Sequence, residues 1–320
     1  MKKTSLFIAS LFVAGGAFAQ SNSQTSTSTG NANSVTVTQS GSGSTAIGSQ
    51  VGNNSELTQT QSGSGQSATS TQTGNNQRSF QTQSGSLNTA TSRQGDGIPL
   101  DAGNLSTQTQ SGSGNRASVE QLSGSNVSTQ SQTGSNNIGS VFQSTAEGNV
   151  ATQTQSGSSL RASIVQLGNT NTATQYSSGF DTDAVIDQRG NSNTASQDQG
   201  RNPGGTFYAD ATIMQVGNNN VAEQIQRTDE HSALIEQDGN GNRALQTQYA
   251  INGPNQVSSI GVLPANRAYI DQDDMGGHTA IQFQQGNANT ANTYQGMSGN
   301  NSNVSQVGVG NTSTVKQNHP

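Results

Sequence analysis

Metal binding and acid–base catalysis need histidines, carboxylates or thiols at set spacings, and this sequence offers few. It has three histidines, His231, His278 and His319, and no cysteine. They are scattered, with no second ligand at metal-site spacing. Asp271-Gln-Asp273-Asp274 and Asp238-Gly-Asn-Gly-Asn242 resemble acidic calcium loops, but neither has the twelve-position set ending in Glu. Solvated turns are the expectation there. Serines abound, yet no nucleophile elbow or Ser-His-Asp order stands out. The reading is no enzyme, no cofactor and no metal. The chemistry that does recur belongs to the primary amide. Gln39, Gln50, Gln61, Gln72, Gln83 and Gln94 stand eleven residues apart, and the beat continues with insertions to Gln317.

An eleven-residue step suits one strand and one tight turn, repeated until neighbouring copies bury each other. With Gln at position i, 25 half-units align, and 23 carry Gln there; Ser177 and Gly261 are the exceptions. Asn fills i−6 in 16 and Ala fills i−4 in 16, while Gly stands at i+2 in 15. The even offsets put Asn, Ala, a variable residue and Gln on one face of an extended strand. Thr, Ser, Arg and Asp take the other face. Gly supplies the positive φ of the turn. His231 and His278 fall at i−6 and read as substitutes for Asn.

Position i−2 sets the true repeat. Gln59, Gln81, Gln108, Gln130, Gln153, Gln175, Gln197, Gln224 and Gln246 alternate with Ser70, Ser92, Val119, Val141, Ile164, Ile186, Ile213 and Ile235. The unit is therefore 22 residues, a rung of two facing strands, and about twelve rungs fit the chain. Stacked rungs put like on like, so each buried amide donates to one neighbour and accepts from the other. The fold class expected is an all-β, two-strand-per-turn, amyloid-like β-solenoid. After Gln248, Ser259, Ile270 and Gln282 break the alternation, and a phase slip is expected near Pro254.

Composition bounds the rest. Only 27% of residues are hydrophobic and 9% charged, too few for a mixed globular core, while a net charge of −6 is low for a disordered chain. The acidic balance argues against nucleic acid, and no later stretch is apolar enough for membrane insertion. Lys2 and Lys3, the apolar run Leu6 to Phe18 and Ala17-Phe18-Ala19 read as a secretory signal peptide over 1–19. A polar N-terminal segment, 20–32, is open to two readings, a secretion address or a disordered tail. The regular solenoid covers 33–250, a less regular continuation 251–317, and a short tail 318–320.

These residues resemble the curlins, the subunits of bacterial curli fibres, whose repeat has the form Q-x-G-x-x-N-x-A-x-x-x-Q. Six copies match in full. They are Gln83, Gly85, Asn88, Ala90 and Gln94; Gln110, Gly112, Asn115, Ala117 and Gln121; and Gln188, Gly190, Asn193, Ala195 and Gln199. The others are Gln215, Gly217, Asn220, Ala222 and Gln226; Gln237, Gly239, Asn242, Ala244 and Gln248; and Gln284, Gly286, Asn289, Ala291 and Gln295. The resemblance implies a structural subunit of extracellular amyloid fibres (a pilus or fimbrium in the broad sense) on a Gram-negative cell surface, serving cell adhesion and biofilm matrix. It implies other copies of the chain, other curli subunits and an outer-membrane secretion channel as partners. This chain departs from the family in carrying more rungs than typical curlins.

Open strand edges at the two ends of such a stack would favour head-to-tail homopolymers. Arg78, Arg116, Arg161, Arg243 and Arg267 all fall at i−5, and Asp96, Asp101, Asp181, Asp183, Asp273 and Asp274 at turns or insertions. These charges are either a plain solvated surface or gatekeepers against early aggregation. The alternative function is a monomeric secreted solenoid of the ice-binding type. It rests on the outward pairs Thr36-x-Thr38, Thr58-x-Thr60, Thr107-x-Thr109 and Thr152-x-Thr154.

Overall fold

A computed structural model describes residues 21–95, 103–145, 147–200, 206–227, 230–249 and 265–319. Segment 1–19, where a signal peptide is expected, together with Asp96, Asp101 and the stretch around Pro254, Ser259 and Gly261, lies outside the described residues. Among the described residues there is no helix; the chain is a β-solenoid with rungs of about 22 residues. It divides into two compact units at Val150–Ala151. Together they hold about twelve rungs.

In the first unit, one parallel sheet takes Ser23–Thr29, Thr45–Val51, Ser67–Thr73, Thr89–Gln94, Arg116–Gln121 and Ile138–Ser144. The other takes Ser34–Ser42, Glu56–Ser64, Arg78–Ser86, Leu105–Ser113 and Val127–Ser135. Alternate strands of the chain thus go to alternate sheets. In the second unit, one sheet runs Arg161–Leu167, Asp183–Arg189, Asp210–Val216, Ser232–Asp238, Arg267–Gln272, Thr290–Gln295 and Thr312–Gln317. Its partner sheet runs Val150–Ser158, Thr172–Phe180, Thr194–Gln199, Val221–Arg227, Arg243–Tyr249, Thr279–Asn287 and Asn301–Val309. A two-residue strand, Thr206–Phe207, extends the pairing of Gly179 and Phe180 beside the insertion that follows Gln199.

Period-2 burial follows the sequence pattern. In Glu56–Ser64, Leu57, Gln59 and Gln61 are buried and the residues between them are not. Register is in phase throughout: Gln59 pairs with Gln81, Gln81 with Gln108, and Gln108 with Gln130. A slip of one residue would expose the whole amide set, which fixes the pairing. The insertion before Gln110 leaves this order untouched.

The turns use two left-handed positions rather than one. Gly41 and Gly52 have φ of 102° and 136°, and the residue two further on is again left-handed, as Gly43 and Asn54. Gly at i+2 also answers a second need. A Cβ added to Gly63 would sit 2.0 Å from the carbonyl oxygen of Gly85 in the next rung. Rung spacing itself therefore excludes a side chain there.

Two expectations about boundaries change. Ser23–Thr29 is a strand in register with Thr45–Val51, so the polar segment 20–32 contains the first strand rather than a disordered tail. Beyond Gln248 the expected break in alternation disappears. Gln237 pairs directly with Gln272 and Gln248 directly with Gln284, so the described strands on either side follow one another in register. Ile270 joins Ile235 and Gln282 joins Gln246.

Candidate functional site: buried amide columns

Each inward Gln is placed by the strand pleat, and the stack turns the set into columns. In the first unit Gln59 Nε2 donates to Gln81 Oε1 at 2.9 Å, Gln81 to Gln108 at 2.9 Å and Gln108 to Gln130 at 3.0 Å. In the second, Gln153 donates to Gln175, Gln175 to Gln197, Gln197 to Gln224 and Gln224 to Gln246, all at 2.9–3.0 Å. Position i behaves alike: Gln83 donates to Gln110, Gln188 to Gln215, Gln215 to Gln237 and Gln284 to Gln306, at 2.8–2.9 Å. In every one of these bonds the lower-numbered residue is the donor, so the columns are polar and point one way.

The second amide hydrogen has a use that the sequence reading missed. Gln61 Nε2 also donates to the Thr45 carbonyl at 2.9 Å, and Gln59 Nε2 to that of Ile47 at 3.0 Å. Thr45 and Ile47 belong to the opposite sheet. Both N–H groups of a buried amide are thus engaged, one along the stack and one across it. This bridging lets a core whose inward positions are largely amides and small residues cohere. The signal in the sequence was the preference for Gln over Asn at i, since only the longer arm reaches the facing backbone.

Asn at i−6 works differently. Asn115 Oδ1 accepts from the backbone N–H of Asn137, while Asn115 Nδ2 donates to the carbonyls of Ser111 and Gly134. The side chain clamps the turn of its own rung and the next. Asn88, Asn193, Asn220 and Asn289 make the same bond, from Nδ2 to the i+2 Gly carbonyl of the next rung. His278 takes an Asn place, its backbone N–H bonding to Asn242 Oδ1 at 3.0 Å. Its Nδ1 accepts from the Asn300 N–H, leaving Nε2 as the protonated nitrogen, which meets the Asp273 carbonyl at 2.9 Å. His231 is buried too, and burial pulls its imidazole down to about 4, a backbone bond with Arg227 acting the other way. Ala90, Ala117, Ala195, Ala222, Ala244 and Ala291 at i−4 are fully or almost fully buried. Where Leu57 replaces Ala, Gly48 opposite makes the room; a Cβ there would lie 2.5 Å from the Leu57 methyl.

The columns stop where the residue type changes. Val37 pairs with Gln59 and Ser28 with Gln50, and the Oε1 atoms of Gln59 and Gln50 are buried without a partner. At the other end of its column, Gln282 faces Val304 and donates to Thr293 Oγ1 instead, at 2.9 Å.

Outside the columns, the Arg residues at i−5 are exposed as expected, and Arg78 and Arg161 pair with Glu56 and Asp183 at 3.2 and 3.5 Å. Asp183 opens a strand rather than lying in a turn. One constellation was invisible in the sequence. Asp271, Asp273 and His319 converge, with their donor atoms within 4.8 Å of one another. Burial, and then the neighbouring Asp273 charge, push the Asp271 carboxyl up to about 6. Neither a family model nor a curated protein sequence matches this chain.

Proposed function

We propose that this chain is a self-assembling structural subunit of an extracellular, curli-type amyloid fibre, with a mechanical and adhesive role. The carrying observation is the one-way polarity of the amide columns. The i−2 column ends inside the stack at Gln59 and Gln282, but position i of the same sheet keeps its amides in the outer strands, where Gln39 donates to Gln61 and Gln284 to Gln306, so a second copy added head to tail would continue that column. The edge strands fit this reading. In Thr312–Gln317 the inward residues Ser313, Val315 and Gln317 are only half-buried, whereas their partners Ala291, Thr293 and Gln295 are buried. In Ser23–Thr29 nearly every residue is exposed. The six full repeat copies supply the family side of the argument, and with it the secreted location and the adhesive role.

The test is growth of the purified mature chain, followed by amyloid-dye fluorescence and electron microscopy. Fibres with a strand-spacing reflection near 4.7–4.8 Å are expected. Gln130→Lys with Gln153→Lys puts unpaired charges into buried columns and should slow or abolish growth. A chain that stays monomeric for days at micromolar concentration would sink the reading.

Ice binding is the second reading, favoured by register in the first unit. Thr38, Thr60, Thr82 and Thr109 form one outward column, although Phe80 interrupts the neighbouring one. Measurable thermal hysteresis would promote it over the fibre.

A further inference from the structure

We propose that Asp271, Asp273 and His319 form a binding site for a divalent transition-metal ion of the zinc type. His319 Nε2 lies 3.1 Å from Asp273 Oδ2 and 3.6 Å from Asp271 Oδ2. Zinc binds imidazole nitrogen and carboxylate oxygen at about 2.0–2.2 Å, so neighbouring donors of a tetrahedral site stand roughly 3.3–3.6 Å apart. The two measured separations bracket that edge length. Calcium fits worse, since it asks for six to eight oxygens and has no use for an imidazole.

The donor set is mixed rather than merely acidic, and it is assembled from distant parts of the sequence. Asp271 lies in strand Arg267–Gln272, Asp273 just after it, and His319 two residues past strand Thr312–Gln317. Strand Thr290–Gln295 pairs with both of those strands and lies between them. The tail must therefore cross the middle rung, and Gly296 is what lets it pass. A Cβ on Gly296 would stand 2.5 Å from the Asn318 carbonyl oxygen and 3.1 Å from His319 Cα. Gly296 is not in the left-handed region, so the tail's close approach is the visible reason for a glycine there.

Groups behind the donors hold them in place, as the supporting hydrogen bonds of metal sites do. Tyr269 Oη is 3.1 Å from Asp271 Oδ2 and is also hydrogen-bonded to Glu236. Asp273 is fixed through its backbone at both ends: its N–H donates to the Gln295 carbonyl and its own carbonyl accepts from His278. The Tyr294 ring packs against His319 with centroids 5.5 Å apart. Three donors from the protein leave a fourth position for water. A bound ion would also bring the charges of Asp271 and Asp273 under one counter-charge and staple the final strand to the one two rungs back.

Equilibrium dialysis of the full mature chain against buffered zinc, followed by metal analysis, tests this in either soluble or assembled protein. About one zinc per chain at micromolar or tighter affinity is expected. His319→Ala and Asp273→Asn should each weaken uptake roughly tenfold or more, whereas His231→Asn, which removes a buried imidazole elsewhere, should leave it unchanged. Because His319 follows the last strand, its truncation does not threaten the fold. Absence of zinc uptake by the parent chain, or equal uptake by His319→Ala, would show that the cluster is an ion pair only and overturn the site.

Discussion

The two units are built from one repeat but filled differently. In the sheet that alternates with the Gln column, the first unit carries Gly48, Ser70, Ser92, Val119 and Val141, and the second Ile164, Ile186, Ile213, Ile235 and Ile270. At i−4 of the other sheet the first unit has Ser79, Ser106 and Ser128, while the second has Ala173, Ala195, Ala222 and Ala244. The hydroxyls of Ser70, Ser79, Ser92, Ser106 and Ser128 are all buried without a partner. Charge is divided as unevenly: Lys and Arg balance Asp and Glu through residue 150, and the whole net charge of −6 falls in 151–320. What both units share is the double bonding of each amide. The solenoid therefore depends on amides first and takes apolar filling as an addition.

The sharpest way to break the contrast is to move one unit's filling into the other. Ile213→Ser gives the second unit a first-unit residue. It deletes a fully buried aliphatic side chain and leaves a hydroxyl with no partner, at a cost of about 4 kcal/mol. Hydrogen exchange read strand by strand should show faster opening of Asp210–Val216 and its neighbours, with the first unit unmoved. Equal loss in both units would mean that they do not differ in the way their cores suggest.

A pH series separates the units next, because the buried imidazole of His231 belongs to the second alone. The unfolded chain takes up this proton near the ordinary 6.5, and the folded chain only near 4. The unfolded state thus binds more protons in between. Stability is complete above about 6.5 and falls, by on the order of 3 kcal/mol, as the pH drops to about 4. Asp271, raised to about 6, acts in the opposite sense over part of that range, so the informative quantity is the difference from His231→Asn. Asn restores the usual residue of the column and should remove the His231 share of the slope. Parallel curves for the two proteins, from denaturant midpoints, would contradict the burial argument.

Much of this was legible in the sequence because stacking makes identity repeat at a fixed interval. The Gln columns, the Asn places taken by His231 and His278, and the outward arginines all follow from offsets alone. The lapses are equally physical. Ser23–Thr29 carries Ser28 where Gln belongs, so periodicity could not find it, yet the backbone pairs regardless of side chain. Spacing counted through 251–261 misplaces Ile270 and Gln282, and only strand pairing reveals that they join Ile235 and Gln246. The Asp271–His319 cluster joins residues 48 apart across two rungs, a relation that no local motif encodes.

Smaller gains should follow from giving the first unit the second unit's i−4 residue. Ser79→Ala, Ser106→Ala and Ser128→Ala each delete a buried hydroxyl without a partner while keeping the space. Each should stabilise the first unit by about 1 kcal/mol, read as slower exchange only in the sheet that holds Arg78–Ser86, Leu105–Ser113 and Val127–Ser135. A loss of stability would imply that these hydroxyls are bonded in solution, and the contrast between units would shrink.

The smallest effect concerns the ion pairs on the outer faces. Arg227 grips Asp198 through two bonds, 2.6 and 2.8 Å long, and both side chains are mostly covered, 15% and 16% exposed. Arg78 meets Glu56 through one bond at 3.2 Å, with the two side chains 55% and 44% exposed. Solvent screens the second pair far more than the first, and a bidentate fork restrains less side-chain freedom per bond formed. A double-mutant cycle on Arg227 and Asp198 should therefore give a coupling of about 1 kcal/mol, while one on Arg78 and Glu56 should give none that can be measured. Raising the salt concentration should erode the exposed pair first. Equal couplings would place the charge contrast on the same footing in both units and leave the filling of the core as the one difference between them.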